Sequence, residues 1–358
     1  MSDTELHQIS KAIHAEIYSI DSHCDTPLYF GYGIDIGKIN PTLILNPKHL
    51  GAETEDEWVS YNLQVDIPKM QAGLLDATFM VAYLKQGARD AQTLQETVEK
   101  TETTIREIIR QVEKNRETAG IALSTTDLKR LKAEGKKAIF IGIENAYGIG
   151  KDIRNIRKFA DWGVRYITLS HNGNNDICDS ADSHVEHNGL SDFGKEVIQE
   201  MNRVGIMVDI SHTSEKTSFD AVELSKHPVI ASHSSVKALC DHSRNISDEL
   251  MRAIAAKGGV IQICLYSEFL RKEGDASVKD MVDHIEYVVK TAGINHVGIG
   301  SDFDGGGGIP GINSADELPQ ITMELLRREY SKEDIAKIWG GNLMRVMDVV
   351  QKITNNEK

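Results

Sequence analysis

The sequence predicts an α/β protein built as a (β/α)8 barrel of the TIM type. Runs of β-branched and other apolar residues recur along the chain, and eight of them have the length and composition of buried strands. Segments with helical spacing of apolar residues separate most of these runs. The alternation favours a parallel sheet, and eight strands is the number that closes into a barrel. An open doubly wound sheet is compatible with the same pattern.

The predicted strands and helices alternate in chain order. The strands are expected at Ile17–Asp21, Ala77–Leu84, Ala138–Ile143, Tyr166–Ser170, Ile206–Ile210, Pro228–Ser232, Gly259–Leu265 and Val297–Ser301. The longest helix is expected at Thr93–Glu117, and those after the later strands begin near a Ser or Asp, as helix N-caps prefer. These later helices are expected at Ser191–Arg203, Ser214–Ser225, Asp248–Lys257 and Ser277–Thr291.

We expect residues 1–358 to form one domain, because no linker rich in Pro, Ser or Gly divides the chain and no repeat is evident. Two segments are predicted to be insertions, one at about residues 30–70, between the first two strands, and one after residue 305. In the second segment, the run Gly305–Gly308 lacks the Lys and the Ser or Thr of a phosphate-binding loop. It is interpreted as a flexible loop at the mouth of the barrel.

The composition excludes several classes of function. The 40 Lys and Arg against 54 Asp and Glu give a net charge of −14, which argues against a protein that binds nucleic acid. No apolar run approaches the roughly 20 residues that cross a bilayer, and acidic residues near the N-terminus do not fit a signal peptide. The four cysteines are far apart and form no CxxC pair, which is typical of reduced thiols. We therefore expect a cytoplasmic protein.

Side chains that could bind a metal or transfer a proton follow six of the eight predicted strands. They are His23 and Asp25 after the first strand, Glu144 after the third, His171 after the fourth, His212 after the fifth, His233 after the sixth and Asp302 after the eighth. In a barrel, the carboxyl ends of the strands meet on one face, where active sites of this fold lie. Unrelated core histidines would have no reason to recur there, so the pattern indicates one shared site.

Two of these sequence segments favour metal binding. In His23-Cys24-Asp25, the first and third residues of an extended strand point to the same side and can reach one ion together. Imidazole nitrogen and carboxylate oxygen suit a borderline cation such as Zn²⁺. Glu144 follows five apolar or small residues, and a carboxylate that enters a core is costly without a metal or another cation beside it.

These residues lie in motifs that resemble those of the membrane (renal) dipeptidase family, the zinc dipeptidases of peptidase family M19 within the amidohydrolase superfamily. The motifs are DSHCDTP, IGIENA, TLSHNGNND, DISHTS, ASHSSVKALCDHSRNISD and GIGSDFDG. The similarity extends from about Ile17 to about Val350, and it implies a (β/α)8 barrel that holds two zinc ions. By this resemblance, His23 and Asp25 bind one zinc ion and His212 and His233 bind the other. Glu144 would bridge the two ions.

The resemblance also implies roles for three further residues. His171 would polarise the scissile carbonyl and stabilise the oxyanion, Arg244 would bind the substrate carboxylate, and Asp302 would be the general acid and base. The implied reaction is hydrolysis of free dipeptides, including those with a C-terminal D-residue, by a hydroxide that bridges the metal ions. The expected partner is a small dipeptide, with no nucleic acid and no membrane, and a homodimer is compatible with this interpretation.

Two alternatives are open from the residues. The first is another hydrolase of the same superfamily, acting on an N-acyl amino acid, a lactone or a deaminase substrate. Many such enzymes use HxH after the first strand and often a carbamylated lysine after the fourth, whereas this chain has HxD and His171 there. The second is a metal-binding barrel without catalysis. Arg244 and Asp302 argue against it, because a structural metal site needs neither.

Overall fold

The computed structural model describes residues 1–45 and 59–354, and it contains the predicted (β/α)8 barrel. The eight barrel strands are β1 (Ile20–Cys24), β2 (Ala77–Tyr83), β3 (Lys137–Glu144), β4 (Val164–Thr168), β5 (Met207–Asp209), β6 (Ile230–Ser234), β7 (Val260–Cys264) and β8 (Val297–Gly300). Each strand pairs in parallel with the next, in chain order. Two backbone hydrogen bonds join β1 to the chain after β8, from Asp302 N to His23 O (3.1 Å) and from Asp25 N to Phe303 O (2.8 Å). The ring of strands is thereby nearly closed, which confirms the predicted fold class and rules out the open sheet.

Helices surround the strands. The α-helices span Asp3–Glu16, Ile67–Ala72, Ala91–Lys114, Thr125–Ala133, Arg154–Asp161, Asp192–Val204, Glu215–Leu224, Asp248–Ala256, Ser267–Leu270, Val278–Ala292, Pro319–Arg327, Lys332–Ala336 and Asn342–Thr354. The five predicted helices are all among them. The hydroxyls of Ser191, Ser214 and Ser247 accept hydrogen bonds from the first turns of three of these helices, as expected for N-caps. Within the described part of the chain, no helix has both the length and the apolar composition needed to cross a membrane.

The segment between β1 and β2 contains elements that the sequence did not reveal. Its described residues form a short antiparallel hairpin of Leu43–Leu45 and Val59–Tyr61, but residues 46–58 of the predicted insertion lie outside the described residues. The buried carboxylate of Asp304, after β8, accepts hydrogen bonds from Tyr61 Oη (2.8 Å) and Gln64 N (2.7 Å). These bonds fix the end of the hairpin to the loop that follows β8.

The glycines after β8 serve close packing, which corrects their interpretation as a flexible loop. A Cβ atom on Gly305 would lie 2.1 Å from Asp25 Oδ2, and one on Gly307 would lie 2.0 Å from the carbonyl oxygen of Ser301. No side chain fits at such distances. The loop can therefore fold tightly against the ends of β1 and β8 only because these residues have no side chain. Residues 355–358, at the end of the predicted C-terminal insertion, lie outside the described residues.

A buried histidine joins the N-terminal helix to the C-terminal helices. His14 Nδ1 lies 3.1 Å from Leu74 O and Nε2 lies 2.8 Å from Thr322 Oγ1, which also accepts a hydrogen bond from Trp339 Nε1 (2.7 Å). A carbonyl oxygen can only accept, so Nδ1 carries the proton and Nε2 accepts from the Thr322 hydroxyl. Protonated His14 would place a second donor against Thr322 Oγ1 and leave the Thr322 hydroxyl proton without this acceptor, so the network favours the neutral form.

This network predicts that acid weakens folding through His14. Burial lowers the pKa of His14 to about 4. Because this folded-state pKa lies below the unfolded value of about 6.5, the unfolded chain takes up a proton first, and stability is lost as the pH falls from about 6.5 to about 4. We expect the difference in the free energy of unfolding between wild type and the uncharged variant His14→Gln to decrease by about 2–3 kcal/mol between pH 7.5 and pH 4.5.

The measurement is denaturant unfolding of both proteins at both pH values, so that titrations elsewhere in the chain cancel in the difference. A difference that does not change with pH would show that His14 keeps its unfolded-state pKa in the folded protein.

Candidate metal centre

The predicted metal ligands meet at the carboxyl ends of the strands. His23, Glu144 and His233 lie within β1, β3 and β6, whereas Asp25 and His212 lie in the loops that follow β1 and β5. Among the residues that the structure describes, three groups of ligand atoms lie within 4.8 Å of one another, namely His23 with Asp25 and Glu144, Glu144 with His212 and His233, and His23 with His233 and Asp302. The side chains that the sequence places after separate strands therefore form one cluster.

Glu144 stands at the centre of this cluster, and its two oxygens face different groups. Oε2 lies 3.5 Å from His23 Nε2, which is also 3.4 Å from Asp25 Oδ2. Oε1 lies 3.1 Å from His212 Nε2 and 3.5 Å from His233 Nε2. One carboxylate thus separates a His–Asp pair from a His–His pair.

Each of the three histidines has a hydrogen-bond partner at Nδ1. His23 Nδ1 lies 2.7 Å from the hydroxyl of Tyr166, which itself donates to Ser22 O (3.1 Å) and is therefore free only to accept. His212 Nδ1 lies 2.9 Å from Asn172 Oδ1, an acceptor. In their neutral forms, His23 and His212 therefore carry their protons on Nδ1 and direct an Nε2 lone pair into the cluster, which is the arrangement that a metal ligand needs.

The unpaired atoms of the cluster fit bound cations. His23 Nε2 and Asp25 Oδ1 are buried and lack a hydrogen-bond partner, and such orphaned polar atoms are costly in a folded protein. His212 Nε2 and His233 Nε2 lie only 2.9 Å apart. With His212 protonated on Nδ1, this contact brings a lone pair close to a second ring nitrogen, and a positive ion beside both nitrogens would stabilise it. The donor set of imidazole nitrogen and carboxylate oxygen suits a zinc-like cation.

Burial and charge act on these groups in opposite directions. Burial tends to raise the pKa of Glu144, but the imidazoles around it, His23 foremost, lower that pKa well below the usual carboxyl value. Burial lowers the pKa of His212 and His233 well below the usual histidine value. Burial tends to lower the pKa of His23 as well, but the carboxylates of Glu144 and Asp25 raise that pKa well above the usual histidine value, so a metal ion that binds His23 must displace a proton from its ring.

Asp302 lies at the edge of the cluster, in the loop after β8. Its Oδ1 is 3.9 Å from His23 Nε2, and its side chain is 15% exposed. Burial raises its pKa to about 8, an effect that His23 opposes and that the carboxylates of Asp25 and Glu144 increase. The backbone φ of +61° is left-handed, which non-glycine residues rarely adopt except where the surrounding structure imposes it.

His171 occupies the opposite edge. Its Nε2 lies 3.9 Å from Glu144 Oε1, and its side chain is 18% exposed. The ring packs against the ring of His212, with 4.2 Å between centroids, and meets the ring of Tyr83 edge-on at 4.8 Å. His171 is thus held beside the candidate metal ligands while it stays open to solvent.

Arg244 is a buried cation that has no acidic partner among the described residues. Its side chain is almost fully buried, its Nη2 donates to His233 O (3.3 Å), and its Nε has no hydrogen-bond partner. The guanidinium lies over the ring of Phe269, 5.2 Å from the centroid. Within residues 1–45 and 59–354, no carboxylate oxygen lies within 4.0 Å of its guanidinium nitrogens. A buried guanidinium without a counter-ion is costly, so this position is suited to an anionic ligand.

Sequence reasoning missed the residues that orient the ligands. Tyr166 and Asn172 bond the histidines, Phe269 supports Arg244, and Asp304 anchors the hairpin. The one available signal was the position of Asn172 in TLSHNGNND, one of the motifs on which the family resemblance depends. Their partners are distant in the sequence, so the signal indicates importance without indicating what each residue contacts.

Known proteins are similar to this chain in sequence and in fold. A sequence model of the family described as membrane dipeptidase (peptidase family M19) matches residues 7–358. The dipeptidase aclJ of Aspergillus oryzae is 35% identical over 301 residues, which cover 82% of this chain and 71% of that protein. An uncharacterized dipeptidase of Schizosaccharomyces pombe, C965.12, is 34% identical over 298 residues, which cover 78% and 71%.

Solved structures share the fold over almost its whole length. The probable dipeptidase PvdM from Pseudomonas aeruginosa superposes with a TM-score of 0.87 at 30% identity, covering 98% of this chain and 100% of that chain. A metallo peptidase from Rhodobacter sphaeroides, solved with a phosphinate mimic of the dipeptide L-Ala-D-Ala, has the same fold, with a TM-score of 0.77 at 21% identity and a coverage of 93% and 99%. The match of the family over nearly the full sequence, together with these relatives, shows that the chain belongs to the membrane dipeptidase family, peptidase family M19.

Proposed function

We propose that the chain hydrolyses free dipeptides with two zinc ions, as a metal-dependent dipeptidase of its family. His23 and Asp25 would hold one ion, His212 and His233 the other, and Glu144 would bind both. The observation that carries this proposal is the division of Glu144, whose Oε2 faces His23 while Oε1 faces His212 and His233. A ligand set for a single ion would not need the two oxygens to face separate groups.

The chemistry that a pair of zinc ions supplies when bound is the activation of a water molecule at neutral pH and the polarisation of a carbonyl. The remaining work falls to side chains around the cluster. His171, 3.9 Å from Glu144 and partly exposed, can donate a hydrogen bond to the oxyanion that forms on the attacked carbonyl. Asp302, at the opposite edge, can take the proton of the attacking water at a carboxylate oxygen and deliver it to the leaving amine.

Arg244 would select the substrate. Its buried guanidinium, whose Nε has no hydrogen-bond partner among the described residues, offers a planar set of donors that matches a carboxylate. A carboxylate bound there would place the peptide bond one residue away beside His233, whose carbonyl oxygen accepts from the same guanidinium. A free C-terminus just beyond the scissile bond is the feature that distinguishes a dipeptide from a longer peptide.

The composition of the chain supports a cellular compartment and a class of substrate for the enzyme. The four cysteines lie in the described chain and are all free and buried, which supports a reducing compartment such as the cytoplasm. The net charge of −14 supports a small-molecule substrate over nucleic acid. A single-domain organisation and a homodimer stay predictions.

The function itself is tested with a panel of L,L and L,D dipeptides, alongside N-acyl amino acids and lactones. Zinc-loaded protein should hydrolyse some of the dipeptides and leave the other classes intact. Chelation should abolish the activity, and added zinc should restore it, because the attacking water is activated by metal. No turnover of any dipeptide by metal-loaded protein would refute the proposal.

A second prediction concerns proton transfer by Asp302. The variant Asp302→Asn keeps the size of the side chain and removes the proton acceptor, so we expect kcat to fall by about 10²–10⁴. Metal content, measured by elemental analysis, should stay close to that of wild type. Near-normal turnover by the variant would assign the proton transfer to another group.

A third prediction concerns the carboxylate contact of Arg244. For a free dipeptide, Arg244→Ala should lower kcat/KM by an amount worth about 2–5 kcal/mol, as expected when one partner of a buried charge pair is removed. For the same dipeptide with an amidated C-terminus, the loss should be far smaller, since no carboxylate is present. Arg244→Lys should restore little, because an ammonium group cannot form two parallel hydrogen bonds.

The measurement is kcat/KM of wild type and of Arg244→Ala, each on the free and on the amidated dipeptide. Equal losses on the free and the amidated dipeptide would show that Arg244 does not bind the carboxylate, and that the shape of the pocket must select dipeptides.

A further inference from the structure

Asp209, the last residue of β5, is a buried carboxylate outside the candidate ligand set. Its side chain is completely buried, and four donors surround it. Oδ1 accepts from the backbone nitrogens of Ser232 (2.8 Å) and Ser211 (3.1 Å). Oδ2 accepts from the hydroxyls of Thr168 (2.5 Å) and Ser232 (2.6 Å). Asp209 therefore ties β4, β5 and β6 together just below the metal centre.

The hydroxyl of Ser232 also touches a candidate ligand. Ser232 Oγ lies 2.9 Å from His233 Nδ1, on the side of the ring opposite the Nε2 that faces Glu144. A carboxylate can only accept, so the Ser232 proton points to Asp209 and its oxygen is left to accept from His233. Nδ1 then carries the imidazole proton, and Nε2 presents a lone pair to the metal centre.

We propose that Asp209 is a positioning residue that fixes the tautomer of His233 through Ser232, and thereby sets the metal affinity of the His212–His233 half of the centre. The inference rests on the proposed function, in which His233 binds zinc. Asp209 touches neither the ligand nitrogen nor a substrate, so it acts only through the direction of two hydrogen bonds. His23 and His212 have single acceptors at Nδ1, whereas His233 depends on this two-step relay.

The relay makes a specific prediction for Asp209→Asn. The amide oxygen must stay on the two backbone N–H groups at Oδ1, so the amide NH₂ group takes the place of Oδ2 and donates to Thr168 and Ser232. The Ser232 proton must then turn away, and the acceptors within reach are His233 Nδ1 at 2.9 Å and Ser211 Oγ at 3.4 Å, of which the shorter contact is favoured. That reversal would move the imidazole proton to Nε2, where it blocks metal binding.

The chain offers a matched control for Ser232. The hydroxyls of Thr168 and Ser232 both donate to Oδ2 of Asp209. Of these two hydroxyls, that of Ser232 also contacts His233. Thr168→Val and Ser232→Ala therefore each remove one buried hydroxyl from the same carboxylate oxygen. Only the second breaks the relay.

The experiment measures zinc affinity by competition with a chromophoric chelator, for wild type, Asp209→Asn, Ser232→Ala and Thr168→Val. Loss of an outer hydrogen bond of this kind typically weakens metal binding by about 10–100-fold. We expect Ser232→Ala to weaken one of the two zinc sites by about that factor, Asp209→Asn to weaken it at least as much, and Thr168→Val to stay within about threefold of wild type. Nitrogen-15 shifts of the histidine rings at saturating zinc should show His233 protonated on Nδ1 in wild type, with a smaller Nδ1-protonated fraction in Asp209→Asn.

Equal weakening by Ser232→Ala and Thr168→Val, or wild-type affinity in Ser232→Ala, would overturn the inference, because the effect would then be structural or absent. If Asp209→Asn does not fold, the pair Ser232→Ala and Thr168→Val still decides. Metal binding is measured without substrate. A wild type that binds two zinc ions but hydrolyses no dipeptide would therefore refute the proposed function and leave this inference standing.

Discussion

The structure of the site depends on one buried carboxylate. Glu144 is the last residue of β3, is 3% exposed in its side chain, and has imidazole nitrogens at 3.1–3.5 Å on both of its oxygens. Burial alone would favour the neutral acid, but the surrounding histidines lower the pKa of Glu144 well below its usual value. The carboxylate can stay charged in the interior because the imidazoles of four strands and their loops, those of His23, His171, His212 and His233, converge on it, and a barrel supplies that convergence at its carboxyl face.

Residues that contact the Nδ1 side of the histidines fix the orientation of the rings. Tyr166, Asn172 and the pair Ser232 and Asp209 occupy the Nδ1 side of three rings, so each ring is held from the side away from the metal centre. Tyr166 belongs to the barrel core, where its ring packs 5.0 Å from Phe79, and Gly142 in β3 leaves it room. The packed core thereby fixes the positions of the ligands, as expected for a site built on rigid strands.

Much of this could be predicted from the sequence, for reasons that are local. Each barrel strand is a short apolar run, and each candidate ligand stands at the end of its run. The alternation of these runs with helical segments predicts the fold, and the positions of the ligands predict the cluster. The bonds that orient the cluster join distant residues: Tyr166 and His23 are 143 positions apart, and Asp304 and Gln64 are 240 apart. No local pattern encodes such pairs. The short strand Ala119–Ile121, which pairs with β3, was likewise too brief to stand out.

The central claim is that the two oxygens of Glu144 belong to two different metal ions. Anomalous diffraction at the zinc edge, from crystals of the zinc-loaded protein, tests it most directly. The account predicts two peaks, one bound by Glu144 Oε2 with His23 and Asp25 and the other by Oε1 with His212 and His233. A single peak at full occupancy, or two peaks of which one has no contact with Glu144, would contradict it.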